Sequence, residues 1–246
     1  MRALTFFLLV LITTAAHAAD YAREQAWEDE ILDSLVVGDA VYLEAAGHRF
    51  LGLYTEASSA RGAVVLVHGI GVHPDWGLIG VLRRRLADVG YTTLSIQMPV
   101  LARDAATDGY ATTFDEAAAR LHSAVHYCQA RGHASIAIVS HSMGARMTNH
   151  YLTGTPDPAV TAWVSLGIPG AFTRRTKLHV PTADIFGEMD LPAVLSTRAQ
   201  RKGALAHIPG ARQVVIAGAD HFYTGHDDAL LDAVRAFLDF YFPRRE

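Results

Sequence analysis

The stretch from Ser135 to Arg146, SIAIVSHSMGAR, decides how this chain is read. It opens on β-branched residues, Ile136, Ile138 and Val139, passes a short polar turn, and continues in small, helix-compatible residues. That is the order of a strand running into a helix. Ser140-His141-Ser142-Met143-Gly144 differs only at its first position from Gly-x-Ser-x-Gly, a pattern that exposes a serine hydroxyl on a sharp strand-to-helix turn. Taken alone, the stretch is either a nucleophile turn or an ordinary connection with a similar spelling.

The surrounding sequence supplies a rhythm. AVVLVHG (63–69) is a continuous apolar run, as expected of a strand buried on both faces. Trp76, Ile79, Leu82, Leu86 and Val89 follow at helical spacing, and Gly90 ends that helix. TTLSIQM (92–98) is a second strand, and a helix from about 114 to 131 stops at Gly132. The opening stretch supplies the third strand and, from Ser142 to about Leu152, the third helix. AVTAWVSLGI (159–168), PTADIFG (181–187) and RQVVIAG (212–218) are further strands. Helices are expected after 187, to about Ala206, and over about 227–242. Upstream, AVYLEAAGHRFLGLYTEA reads as a hairpin around Gly47, and residues 20–38 as a short helix or arm. This alternation predicts an α/β domain with a mostly parallel central sheet and helices on both faces.

The N-terminus has a separate logic. Arg2, an apolar run from Leu4 to Ile12 and small residues ending AHAA have the order of a secretory signal. Residues 1–19 are therefore expected to be a cleaved signal peptide, and 20–246 one domain in the periplasm or outside the cell. The apolar run is shorter than the roughly 20 residues of a transmembrane helix, so no span is expected in the mature chain. Removing Arg2 leaves 20 Lys and Arg against 25 Asp and Glu, net −5. No basic patch argues for nucleic acid. Arg83-Arg84-Arg85 reads as a solvated helix face. The one cysteine, Cys128, shares a helical stripe with Phe114, Leu121 and Val125 and is expected to be a buried hydrophobe.

In an open parallel sheet, ligands bind beyond the carboxyl ends of the strands. Those ends carry His68-Gly69-Ile70-Gly71, Ser140-His141-Ser142, Gly187-Glu188-Met189-Asp190 and Gly218-Ala219-Asp220-His221. A serine, an acid and a histidine thus follow in the order Ser, Asp, His. In this order and context the chain, from about 40 to 242, resembles the α/β-hydrolase superfamily. SHSMG looks like its nucleophile elbow, HGIG its oxyanion loop, FGEMD its acid turn and GADHF its histidine loop. The resemblance implies Ser142 as nucleophile, His221 as general base and then acid, and Asp190 as its orienting partner. Backbone N–H groups of Ile70 and Met143 would donate to the oxyanion, with His68, Gly69, His141, His73 and Trp76 near the pocket.

Rival assignments exist. Asp184 and Glu188 compete with Asp190 on placement, and His226 with His221. His122 and His126 are four apart on a helix but lack the glutamate of a zinc-protease motif, so no metal is expected. Gly69-Ile70-Gly71 has Pro74 where a dinucleotide loop needs its third glycine, so no cofactor is expected. HPDW (73–76) resembles a stretch found in an uncharacterised branch of exported bacterial α/β-hydrolases. Its Asp75 is expected to cap the following helix.

Only about ten residues separate Gly170 from Val180, too few for a lid domain. The expected protein is an exported serine hydrolase with an open, shallow site for a small-molecule or acyl substrate, with a carboxylic ester as the expected bond cleaved. Thioesters and amides use the same chemistry. The alternative is a non-catalytic envelope binding or assembly protein on the same fold, a reading that rests on the Ser140 departure and on the generic character of the pocket.

Overall fold

The apolar runs of the sequence become strands covered on both faces, and the helical spacings become the helices that cover them. A computed structural model describes residues 19–242; residues 1–18, on which nearly all of the expected signal peptide falls, and residues 243–246 lie outside these. Helix α1 (Tyr21–Ser34) leads into a hairpin of β1 (Asp39–Ala45) and β2 (His48–Thr55). Next come β3 (Ala63–Val67), α2 (Gly77–Asp88), β4 (Thr92–Ile96) and α3 (Phe114–Ala130). The opening stretch gives β5 (Ile136–His141) and α4 (Met143–Leu152), followed by β6 (Val160–Leu166) and β7 (Thr182–Gly187). Two short helices, α5 (Pro192–Leu195) and α6 (Arg198–Leu205), precede β8 (Arg212–Ile216) and α7 (Asp227–Tyr241).

The strands form one eight-stranded sheet in the order β1-β2-β4-β3-β5-β6-β7-β8. β2 pairs antiparallel with β1 and β4, and the remaining pairs are parallel. Side chains alternate across each strand, so one run serves two cores. Val65, Val67 and Ile138 face a layer containing Leu121, Val125, Cys128 and Tyr151. Val64, Leu66 and Val139 face the layer of Leu82, Leu86, Leu230 and Phe237. Each such large apolar side chain, fully buried, stabilises the fold by about 1.5–3 kcal/mol relative to exposure. Cys128 is buried as expected, and desolvation pushes its thiol up to about 12.

Parallel register carries the strand ends to one edge. Val67 lies beside Ser140, His141 beside Leu166, Leu166 beside Ile185, and Gly187 beside Ile216. The four loops singled out in the sequence therefore open on the same side of the sheet. Between β6 and β7 the chain makes one 3₁₀ turn, Arg175–Lys177, and carries no lid.

Two expectations fail in α2 and the turn that leads into it. Arg83 is not a solvated cation: its side chain is 1 % exposed and donates to Asp75 (2.7 Å), the Val37 carbonyl (2.6 Å) and Thr55 Oγ1 (3.2 Å). Asp75 does not cap α2, whose N-cap is Trp76 without a side-chain bond. Its carboxylate turns to Arg83 and Arg84 instead. A buried guanidinium needs a full set of acceptors, and that demand outweighs one capping bond.

Candidate active site

Ser142 is the hinge between β5 and α4. Its backbone stands at φ +55° and ψ −120°, a conformation that costs a non-glycine residue on the order of 1–3 kcal/mol. The surroundings hold it there. Its N–H donates to Leu166 O (2.9 Å), and its own carbonyl accepts from Ala145 (3.0 Å). Gly144 lets α4 approach β3; a Cβ there would lie 2.2 Å from the His68 carbonyl oxygen. Ser140, the departure from the motif, is fully buried and accepts the indole N–H of Trp163 at 2.8 Å. The hydroxyl is thus the acceptor that permits a tryptophan in the core.

The three sequence-predicted residues meet. Ser142 Oγ lies 3.0 Å from His221 Nε2, and His221 Nδ1 lies 2.6 Å from Asp190 Oδ1. Asp190 also accepts from the N–H groups of Leu191 (2.7 Å) and Gly187 (3.3 Å), which fix the orientation of its carboxyl group. A carboxylate at Nδ1 sets that nitrogen as the donor, leaving the Nε2 lone pair toward the serine hydroxyl. Gly167, at φ +54°, passes behind the pair; a Cβ would sit 3.1 Å from both Asp190 Oδ2 and His221 Nδ1.

The rivals are occupied elsewhere. Asp184 is buried and bonded to Arg201 and Gln213, both at 2.8 Å. Glu188 accepts from the Gly218 N–H, and His226 begins α7 with its ring on the Thr224 carbonyl. His122 and His126 lie with ring centroids 6.2 Å apart, His126 near Asp157. Among the described residues no group of three or more His, Cys, Asp or Glu side chains could hold a metal ion.

Two histidines expected near the pocket prove to be struts. His68 is buried and accepts the Met98 N–H at Nε2 (2.9 Å), so its Nδ1–H donates to Gly69 O (2.8 Å). His141 donates from Nε2 to the His221 carbonyl (3.0 Å), tying the elbow to the histidine loop. Desolvation pushes both imidazoles down to about 3, so they stay neutral. His68 is therefore no pocket wall. Gly69 runs directly over the elbow, where a Cβ would lie 3.3 Å from Ser142 Cβ. Among the described residues, the N–H groups of Ile70 and Met143 donate to no protein acceptor. His73 is half-buried beside Trp27, whereas Trp76 packs edge-on against exposed Phe222 (5.6 Å), whose ring is 5.2 Å from His221.

The histidine loop contains residues that sequence reasoning missed. Tyr223 is buried at φ +55° and donates its hydroxyl to the Ile185 carbonyl (3.0 Å). Asp220 accepts from the N–H groups of Phe222 (3.0 Å) and Thr224 (2.9 Å), and these bonds hold its carboxyl below the usual range. Nothing local marks Tyr223 as a strut. The Asp at 220 does carry a signal, since aspartate commonly bonds the backbone two residues on.

Fold and strand-end arrangement place the chain among proteins of the α/β-hydrolase fold. It is similar to an α/β serine hydrolase without a lid from Xanthomonas campestris, at 14 % identity and TM-score 0.67, covering 86 % of this chain and 98 % of that one. It is also similar to a dienelactone hydrolase from Anabaena variabilis (21 % identity, TM-score 0.65, 84 % and 98 % covered). A third similar structure is an esterase from Pyrococcus furiosus (14 % identity, TM-score 0.66, 84 % and 98 % covered). More particularly, residues 12–119 match a family described as "Protein of unknown function (DUF3530)". No curated protein matches the chain.

Proposed function

We propose that the protein is an exported serine hydrolase acting on carboxylic esters. The observation that carries this reading is the continuous line Ser142 Oγ–His221 Nε2 (3.0 Å) and His221 Nδ1–Asp190 Oδ1 (2.6 Å) on a strained elbow. In the proposed cycle, Ser142 Oγ attacks the acyl carbon while its proton passes to His221 Nε2. Asp190 stabilises the resulting imidazolium. The oxyanion accepts hydrogen bonds from the Ile70 and Met143 N–H groups, Met143 having the N-terminus of α4 behind it. His221 then protonates the leaving alkoxide, and water releases the acyl group by the same steps in reverse.

The rim supports an uncharged, accessible substrate. Ile70, Met189, Leu191 and Phe222 are exposed apolar side chains at or next in sequence to Ile70, Asp190 and His221, and the Phe222 ring lies 5.2 Å from that of His221. The signal-like N-terminus supports export to the periplasm or beyond. Of the two features that favour the non-catalytic alternative, the Ser140 departure and a generic pocket, the first has a structural role as acceptor of the Trp163 indole. The test is steady-state hydrolysis of 4-nitrophenyl esters from acetate to decanoate. Saturable turnover of at least one ester, lost in Ser142→Ala, is expected. A folded wild type that turns over none of the panel would overturn the reading.

A further inference from the structure

α1 reaches the oxyanion loop through polar contacts. Arg23 Nη2 donates to the Gly71 carbonyl (3.0 Å) and Nη1 to the Leu101 carbonyl (2.9 Å). Its guanidinium lies 4.5 Å from the Trp27 ring centroid, and Trp27 lies 5.9 Å from His73. The next residue, Glu24, is buried and pairs at two points with Arg120 (2.9 and 3.1 Å). Arg120 also donates to the Gln97 carbonyl (3.0 Å), and the Gln97 side chain lies 3.1 Å from His68 Nε2. Two consecutive residues of α1 are thus connected to the two ends of His68–Gly71, with Ile70 between them. Gly71 stands at φ +67°, so the Arg23 bond acts on a turn where backbone direction changes.

α1 contributes little to the core. Only Glu24 and Ile31 are buried in it, Ile31 against Leu51 and Leu53. An element with so few buried apolar contacts can loosen without global unfolding.

We infer that α1 is a clamp on the oxyanion loop and that Arg23 is a positioning residue, fixing the Gly71 carbonyl and thereby the direction of the Ile70 N–H. The inference rests on the hydrolase reading. The oxyanion exists only after attack, so a misdirected donor weakens the transition state and leaves ester binding nearly untouched. That predicts loss in kcat with KM retained.

The test compares wild type, Arg23→Ala and Arg23→Lys in 4-nitrophenyl acetate hydrolysis and in backbone 15N relaxation. For Arg23→Ala, kcat should fall on the order of ten- to a hundredfold with KM within about twofold, the size expected of a displaced rather than deleted donor. Arg23→Lys, which keeps one donor within reach, should recover part of the loss. The N–H order parameters of Ile70 and Gly71 should fall in Arg23→Ala from the rigid range of about 0.85 toward about 0.6 while those of β3 and β5 stay at wild-type values, showing local loosening. Unchanged kcat, or unchanged order parameters at Ile70 and Gly71, overturns the clamp. A wild type inert toward esters would refute the hydrolase reading alone, and the order parameters would still decide whether Arg23 holds the loop.

Discussion

Ser140 shows how one residue can look like a defect in the sequence and serve the core in the structure. Its hydroxyl is the acceptor of the buried Trp163 indole. Restoring the usual glycine by Ser140→Gly should therefore destabilise the protein by about 1–3 kcal/mol, the cost of stranding a buried donor. Urea unfolding checks this, and adding Trp163→Phe should make the Ser140 change nearly neutral. The site residues Ser142, Asp190 and His221 were legible because each falls at a predicted strand end. Asp75 and Arg83 were misread because a cap and a solvated helix face are local rules. The bonds from Arg83 to Asp75, Val37 and Thr55 span up to 46 positions in sequence.

At the scale of elements, the junction of β5 and α4 must pass within contact of the loop after β3. Gly144→Ala would drive a methyl to 2.2 Å from the His68 carbonyl oxygen, so the elbow must shift. A misplacement of about 1 Å costs on the order of a hundredfold in rate, and kcat/KM for an aryl ester should fall by about that much. The short, lid-free passage from β6 to β7 gives a second expectation. Hydrolysis should show no lag and no jump in rate as an ester passes its solubility limit. Interfacial activation would contradict an open site. Strand and helix order was readable from 63 onward, because continuous apolar runs and 3.6-residue spacing alternate there except between β6 and β7, which no α-helix separates. The role of α1 was not readable, since its partners Gly71 and Leu101 lie 48 and 78 positions away.

For the whole molecule, the buried imidazoles of His68 and His141 govern behaviour in acid. Both are pushed down to about 3 from an ordinary 6.5, so the unfolded chain takes up their protons first. Their contribution to stability is complete above pH 6.5 and is lost progressively as pH falls toward 3. Each imposes a slope on the order of 1 kcal/mol per pH unit below pH 6.5, roughly 2 kcal/mol per pH unit together. Stability measured by denaturant between pH 6.5 and 5 should fall with approximately that slope. His68→Gln or His141→Gln should remove roughly half of it, and a flat wild-type profile would contradict neutral burial.

The proposed function stands on Ser142 being a nucleophile activated by His221 and Asp190. Intact-mass analysis and peptide mapping after reaction with a fluorophosphonate test this. A single adduct on Ser142 is expected, absent in folded Ser142→Ala and slowed by on the order of a thousandfold or more in His221→Ala. An adduct that persists in Ser142→Ala, or one that forms at the wild-type rate without His221, would contradict it.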